Sequence, residues 1–477
     1  MSYAFRTSRY TFEIPAEDGA LLYNANTGAV LKVTGRNAHT IATQVSGRPR
    51  TVRVQNLPEQ TVTDLLECGM LVPMDLDELN QIRERFRQAR ADSPIVITIT
   101  TTMDCNLGCY YCYEQRSSAT LAAHDIDSIV RLADDRLRES GKQALHVDWY
   151  GGEPLLNVEF LEAASRALQE LCARTGVYYS ASVISNGTCW PADVERFVTS
   201  NRIGQVQISF DGLEGAHNKR RRYRKGRAPF EKASSFNQAV ELVDKLLDHV
   251  RVDVRFNMDR GNAGDLPGFL SMMQERGWFN RRFPAVVQPA RLSAYSERSS
   301  FMQRTQLSAD AYEDLRAEVR RTVGSFASVE ESEAPDGFPF PRTSVCAALA
   351  NDSVVVGADG ELYRCGLQVG ESGRSVGDLA PTNSRQLPLL NVSSDSGWWK
   401  EFDPTLQPKC ARCSFLPICW SGCPKKHLEG DTHAIDEQGT YWRRNLSRLV
   451  TNGLGTESTV NYEFSLEDQF RGELVAS

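Results

Sequence analysis

The sequence predicts an α/β chain: six βα units on a parallel sheet, preceded by a small α+β module and followed by a cysteine-rich region. Three observations predict it. Strand-like and helix-like stretches alternate about every thirty to fifty residues from Ile95 onward, as in repeated βα units. The first 75 or so residues read as short extended segments punctuated by turns, with a helical pattern after Pro58. Six of the twelve cysteines fall between Cys346 and Cys423.

At about 150 residues per domain, 477 residues suit roughly three domains. An apolar fraction of 41% with 24% charged residues is that of a folded globular protein and argues against a disordered or fibrous chain. A net charge of −7 disfavours nucleic acid as a partner, because such binding rests on neutralising phosphates. No run of eighteen apolar residues occurs and residues 1–11 lack a signal-peptide core, so we expect a cytoplasmic protein with no membrane association. Twelve cysteines in this length are too dilute for a disulfide scaffold, and a reducing compartment keeps them as thiols unless a metal engages them.

The first module is placed at residues 1–78. Extended segments at 10–14, 21–23 and 30–33 are separated by turns at Asp18-Gly19 and Asn26-Thr27-Gly28. Pro58 suits a first helical turn, Val62, Leu65 and Leu66 share a face, and Gly69 fits the stop before Met70-Leu71-Val72. Residues 79–93 are charged and free of turn signals, which predicts a linking helix. The βα region is placed at 94–325, with strands at 95–101, 145–150, 177–185, 205–210, 251–257 and 283–288. Ile126, Ile129, Val130, Ala133 and Leu137 form one helical stripe closed by Gly141, and Phe236, Ala239, Val240, Val243 and Leu247 form another. The serine-rich stretch 292–308 and the Pro, Asn and Ser tract 380–396 read as loops. The third region is placed at 326–477.

Cys105-Asn-Leu-Gly-Cys109-Tyr-Tyr-Cys112 follows the first strand directly, so three thiols share one loop at the carboxyl end of a parallel sheet, where α/β barrels place active sites. Three thiolates can hold three corners of an iron–sulfur cluster and leave the fourth iron open. A structural zinc site would need a fourth ligand nearby, and this loop has none. At this point the sequence resembles the radical S-adenosylmethionine (SAM) superfamily, whose fingerprint is three cysteines separated by three and then two residues with an aromatic residue before the last. Gly151-Gly152-Glu153-Pro154 after strand two, Asn186-Gly187-Thr188 after strand three and Ser209-Phe210-Asp211-Gly212 at the end of strand four extend the likeness.

The resemblance implies a partial (β/α)6 TIM-type barrel that binds SAM and a 4Fe-4S cluster on Cys105, Cys109 and Cys112. It also implies cofactor contacts. Gly151, Gly152 and Glu153 would meet the methionine amino end, the Tyr111 backbone would meet adenine, and Ser209 and Arg221 would hold the ribose and carboxylate. Glycine lets backbone approach closely and arginine grips carboxylates with a planar fork. Arg221 lies in the basic run 219–225; the remainder of that run reads as solvated surface and a candidate peptide-docking rim.

In the third region, Cys346, Cys365, Cys410, Cys413, Cys419 and Cys423 resemble the SPASM extension, which binds auxiliary 4Fe-4S clusters. By that likeness Cys346, Cys365 and Cys423 would hold an inner cluster and Cys410, Cys413 and Cys419 an outer one. A seventh cysteine is missing after Cys423, so the outer cluster needs a ligand such as His427, Asp431 or His433, or an open site, or is absent. Zinc on the last four cysteines is the competing reading. Cys68, Cys172 and Cys189 read as small buried hydrophobes. Residues 21–73 resemble the winged-helix-like recognition module of enzymes that modify ribosomal peptides, which binds a leader along a strand edge.

Together the resemblances imply a radical SAM oxidoreductase that abstracts hydrogen from a ribosomally synthesised precursor peptide carrying a leader, to install a thioether or carbon crosslink. An external electron donor such as a flavodoxin or ferredoxin is implied. The alternatives are a formylglycine-generating sulfatase maturase and, in a different class, a non-catalytic zinc-bearing peptide adaptor.

Overall fold

The computed structural model describes residues 4–16, 19–35, 38–53, 59–294, 297–326, 337–379, 394–454 and 462–464. Asp18, Pro58 and most of the tract read as a loop, 380–393, lie outside the described residues. The chain forms two units: Met1–Arg90 with Glu330–Val345 and Phe402–Ser477, and Ala91–Val329 with Cys346–Glu401.

In the first unit, strands β1 (Ala4–Thr7), β2 (Thr11–Ala16), β3 (Gly19–Asn24), β4 (Val30–Thr34), β5 (Thr51–Arg53) and β6 (Leu71–Pro73) form two small sheets. β2, β3 and β4 make an antiparallel meander, while β1 lies antiparallel between β5 and β6. Strand Tyr462–Phe464 pairs parallel with β4, in register with Leu31 to Val33. Helices Ala38–Val45 and Glu59–Glu67 cover a core that includes Ala20, Leu22, Leu31, Leu65 and Met70. Gly69 takes φ +71° at the end of the second helix, a left-handed stop that glycine adopts without strain.

Helix Glu78–Asp92 is amphipathic despite its charge, burying Ile82, Phe86 and Ala89. Phe86 meets Trp420 edge to face at 5.3 Å between ring centres, and Glu78 accepts hydrogen bonds from Arg6 and Ser8. Phe12 packs on Phe415 and Tyr23 on Phe338, so residues from both ends of the sequence share this core.

The second unit is built on β7 (Ile95–Thr100), β8 (Ala144–Tyr150), β9 (Tyr178–Ser185), β10 (Ile203–Phe210), β11 (Arg251–Met258) and β12 (Val286–Arg291). All six are parallel and lie side by side in sequence order. The sixth strand begins three residues later than the sequence suggests. Phe283 and Ala285 first spend their N–H groups on Leu247 and Trp278, and only then does the chain join β11. Beyond β7 the sheet continues with β13 (Val354–Val356), parallel to β7, then β14 (Glu361–Tyr363) and β15 (Gly377–Asp378), both antiparallel to their neighbours.

Period-two alternation gives each barrel strand two different faces. Ile97, Val147, Ala181, Val206 and Val254 are fully buried. The opposite face is polar: Asp148 takes hydrogen bonds from His146, Thr98 and Ser182, and Asp253 from Gln205, Gln288 and Arg251. Burial works against the Asp148 charge, but the donors from His146, Ser182 and Thr98 outweigh it and hold the carboxyl below its ordinary value. Helix Ile126–Ser140 carries the expected stripe and ends at Gly141 with φ +67°, and Ser235–Leu246 carries the second. Residues 297–304 of the serine-rich stretch are 3-10 helical rather than loop. No helix among the described residues is long and apolar enough to cross a membrane.

Candidate active site

The loop after β7 carries Cys105, Cys109 and Cys112, and hydrogen bonds from three other segments fix it. Gly108 N–H donates to the Arg222 carbonyl at 2.7 Å and Arg224 N–H to the Asn106 carbonyl at 2.9 Å. The Arg224 and Arg227 guanidiniums pair with Asp104 at 2.6 Å each. Asn186, at the end of β9, reaches Asn106 Oδ1 at 2.9 Å. Cys105 is buried, and burial pushes its thiol up to about 12; Cys109 is pushed up for the same reason. Thiols held neutral in this way would give up their protons on ligating iron.

Gly151 and Gly152 follow β8 and lie against the start of this loop. Gly151 has φ +144°, and a Cβ there would run into the Thr102 carbonyl. A Cβ on Gly152 would run into the Asp104 carbonyl, with the Asp104 carbonyl carbon at 2.8 Å. The backbone these glycines approach is therefore that of the cysteine loop, with Gly152 N–H donating to Thr102 at 2.9 Å. Gly152→Ala is expected to push the loop aside and cost about 1–3 kcal/mol by overpacking. Iron retained after anaerobic reconstitution checks it, with Gly215→Ala, which meets nothing within 4 Å, as the neutral control.

Glu153 is fully buried and accepts from Ser185 Oγ at 2.8 Å and from Asn186 N–H at 2.7 Å. Burial pushes its carboxyl up to about 7 against those donors. It ties the glycine turn to the end of β9. Ser209, on the polar face of β10, makes no side-chain hydrogen bond among the described residues. Arg221 is buried, donates to Tyr111 Oη at 2.8 Å and faces Asp211 at 3.5 Å. Its Nε–H is buried and has no acceptor among the described residues. The Tyr111 hydroxyl donates to Asp211 at 2.7 Å.

One reading of the basic run is corrected here. Arg220, taken as solvated surface, is buried. It pairs with Asp211 at 3.2 Å and Asp259 at 3.1 Å, under the rings of Tyr110 and Tyr111. Tyr223 is also engaged, donating to Gln238 while its backbone bridges to Leu107. Lys219, Arg222 and Lys225 are exposed as expected. Sequence reasoning did not single out Asp104, Asn106 or Asp259, and it quoted Asp211 only within the motif ending β10, without a role. Cys68 and Cys172 are buried, whereas Cys189 is half-buried and takes a contact from Asn106 Nδ2 at 3.1 Å, beside the cysteine loop.

Three thiols on a clamped loop, with the Arg221 guanidinium acting on Cys109 and its Nε–H lacking an acceptor among the described residues, suit an iron–sulfur cluster and an anionic ligand end. Among the described residues no three Cys, His, Asp or Glu side chains converge to hold a single metal ion; a four-iron cluster needs its ligands spread more widely than one ion does. The profile of the Radical SAM superfamily matches residues 99–262, which span this loop, the glycine turn and Arg221. Residues 99–262 form a radical SAM domain. Enzymes with this domain bind SAM and a 4Fe-4S cluster, and it is over this stretch that the chain is similar to them.

Similar proteins extend beyond that domain. The serine-type anaerobic sulfatase-maturating enzyme of Klebsiella aerogenes is 24% identical over 335 residues, 67% of this chain and 77% of that enzyme. The mycofactocin maturase MftC of Mycobacterium ulcerans is 27% identical over 360 residues, 70% of this chain and 83% of that protein. A solved structure of native anSMEcpe with bound AdoMet and a peptide superposes with a TM-score of 0.53 at 18% identity, covering 76% of this chain and 99% of that one. The last likeness shows a shared fold.

The later cysteines divide between the units. Cys346 and Cys365 flank β13 and β14, where Arg364 ties the segment between them by donating to the carbonyls of Ala348, Ala350 and Ser353. Cys410, Cys413 and Cys419 line one cavity of about 130 Å³ in the first unit. Cys423 does not line it; it is exposed and precedes helix Pro424–Leu428.

Proposed function

We propose that this chain is a radical SAM maturase that oxidises a ribosomally made precursor peptide and joins two of its side chains through a thioether or carbon bond. The observation that carries the reading is the clamped cysteine loop with the unspent Arg221 Nε–H beside it. The relatives named for maturing sulfatases and mycofactocin support a peptide substrate. When bound, the cluster and SAM would supply a one-electron cleavage and a hydrogen-abstracting radical.

This chain's residues do the rest. Cys105, Cys109 and Cys112 would hold the cluster. The Gly151 and Gly152 backbone would face the methionine amino end and the Tyr111 backbone the adenine, while Ser209 and Arg221 take the ribose and carboxylate. Glu153 positions the glycine turn from below. The half-buried polar face of β8 to β11 gives the peptide hydrogen-bonding groups, and closure around it excludes water from the reacting carbon. An auxiliary cluster on the later cysteines would supply a sink for the electron left after bond formation. The first electron would come from an external flavodoxin or ferredoxin in the cytoplasm.

A second reading, formylglycine formation, is favoured by the sulfatase-maturase relatives. The two separate on product. A crosslink removes two hydrogens and leaves no carbonyl, whereas formylglycine reacts with a hydrazide probe. We expect the reconstituted enzyme to give the hydrazide-silent, two-hydrogen loss on peptides from neighbouring reading frames and to leave a sulfatase-derived peptide unchanged. A hydrazide-reactive product would reverse the order of the readings.

The leader would bind as an added strand on β4, an edge on which strand Tyr462–Phe464 already pairs. Removing residues 455–477 is therefore expected to tighten leader binding roughly tenfold, the weight of one or two backbone hydrogen bonds at about 0.5–1.5 kcal/mol each. Fluorescence anisotropy of a labelled leader measures it, and unchanged affinity would place the leader elsewhere.

A further inference from the structure

The sequence supplies three cysteines for the outer auxiliary site and no fourth. The candidates suggested by sequence proximity are otherwise engaged or do not line the site. His427 directs Nε2 at the Ser421 carbonyl at 3.0 Å and packs its ring on Phe402. Asp431 caps helix Thr432–Gly453 through Ala434 N–H at 3.0 Å and pairs with Lys426 at 3.1 Å. Neither these two nor His433 lines the cavity formed by Cys410, Cys413 and Cys419.

Asp436 does line it. Helix Thr432–Gly453 forms one wall, presenting Ile435, Gln438, Gly439 and Trp442, which share a face at helical spacing. Asp436 stands at the edge of that face, paired at 3.0 Å with Lys409, the residue before Cys410. Gly439 leaves space a turn further along, since its nearest neighbour would be the Arg443 guanidinium at 3.4 Å. The cavity also holds two polar groups that are buried without a conventional partner, Trp442 Nε1–H and the Ser421 hydroxyl. The Trp442 indole N–H acts on the Cys419 thiol against the burial that pushes it up. Donors aimed at sulfur are what a cluster site requires around its thiolates. Cys410, Cys413 and Cys419 surround one cavity.

We propose that Asp436 is the fourth protein ligand of an iron–sulfur cluster held by Cys410, Cys413 and Cys419. A carboxylate oxygen is a harder, weaker ligand for cluster iron than thiolate. The iron it holds is therefore the most easily lost of the four, and it is the position at which the outer site differs from an all-cysteine one. The ion pair with Lys409 is released when the carboxylate turns inward. The inference rests on reading the cysteine region as cluster-binding, and the test separates the two.

The test uses the full chain with Cys105, Cys109 and Cys112 all changed to alanine, so that only auxiliary iron is counted. This background is reconstituted anaerobically alone and with Asp436→Ala, Asp436→Cys or Lys409→Ala, then assayed for iron, zinc and acid-labile sulfide and by EPR. We expect Asp436→Ala to lose about one iron per chain and to show the signal of an oxidised three-iron cluster. Asp436→Cys should restore the iron and lower the reduction potential, and Lys409→Ala should change neither iron nor spectrum. The proposal fails if Asp436→Ala keeps the parent iron and spectrum, or if Lys409→Ala reproduces its effect, which would make Asp436 only an ion-pair partner. A background that holds zinc and no sulfide would overturn the cluster reading itself, and this proposal with it.

Discussion

Replacing Cys105, Cys109 and Cys112 together with alanine is expected to reduce reductive cleavage of SAM to background. The three thiols sit on one loop whose position is set by backbone and side-chain bonds from Arg222, Arg224 and Asn186. None of those bonds uses a cysteine sulfur, so the fold should persist. Deoxyadenosine formation by the anaerobically reconstituted variant, under dithionite, reports the loss. Circular dichroism indistinguishable from the parent would show that chemistry and not folding had been removed. Unchanged turnover would end the radical reading.

The largest effect on stability is expected at Asp211. Its buried carboxylate accepts from Tyr111, Asn257 and Arg220 and faces Arg221. Arg220 and Arg221 are themselves buried. Asp211→Ala leaves the buried Arg220 with Asp259 alone and the buried Arg221 with only the Tyr111 hydroxyl, and breaking a buried pair by removing one partner costs about 3–5 kcal/mol. A surface pair gives the contrast: Asp134→Ala removes the exposed i,i+4 pair with Arg138 and should cost under about 1 kcal/mol. Urea midpoints of the two variants measure the difference. Because Asp211 also orients Arg221, its loss should weaken SAM binding even in molecules that remain folded.

The parts of this fold legible in sequence are those governed by local rules. The stripe from Ile126 to Leu137 ends where Gly141 takes its left-handed φ, and five of the six barrel strands begin within two residues of where β-branched alternation places them. Long-range pairing explains the rest. Val354–Val356 is three residues long and becomes a strand because β7 offers an open edge far away in sequence. Ala4–Thr7 is set by β5 and β6 in the same way. Arg220 looked like part of a solvated run because its partner Asp259 lies 39 residues on. The cysteine motif was legible because its chemistry is local to one loop, while Asp436 was not, because only the turn of helix Thr432–Gly453 brings it to the cavity of Cys410, Cys413 and Cys419.

The central claim is that a SAM-derived radical takes hydrogen from a peptide. The measurement that tests it most directly follows deuterium from peptide to cofactor. Candidate precursor peptides, translated from any short reading frames found beside this one, would be prepared with perdeuterated side chains and incubated anaerobically with the reconstituted full chain, SAM and reductant. The account predicts that deoxyadenosine gains one deuterium and that the same peptide loses two hydrogen isotopes in forming its new bond. Deoxyadenosine that forms at the same rate with and without peptide, and never carries deuterium, would contradict it.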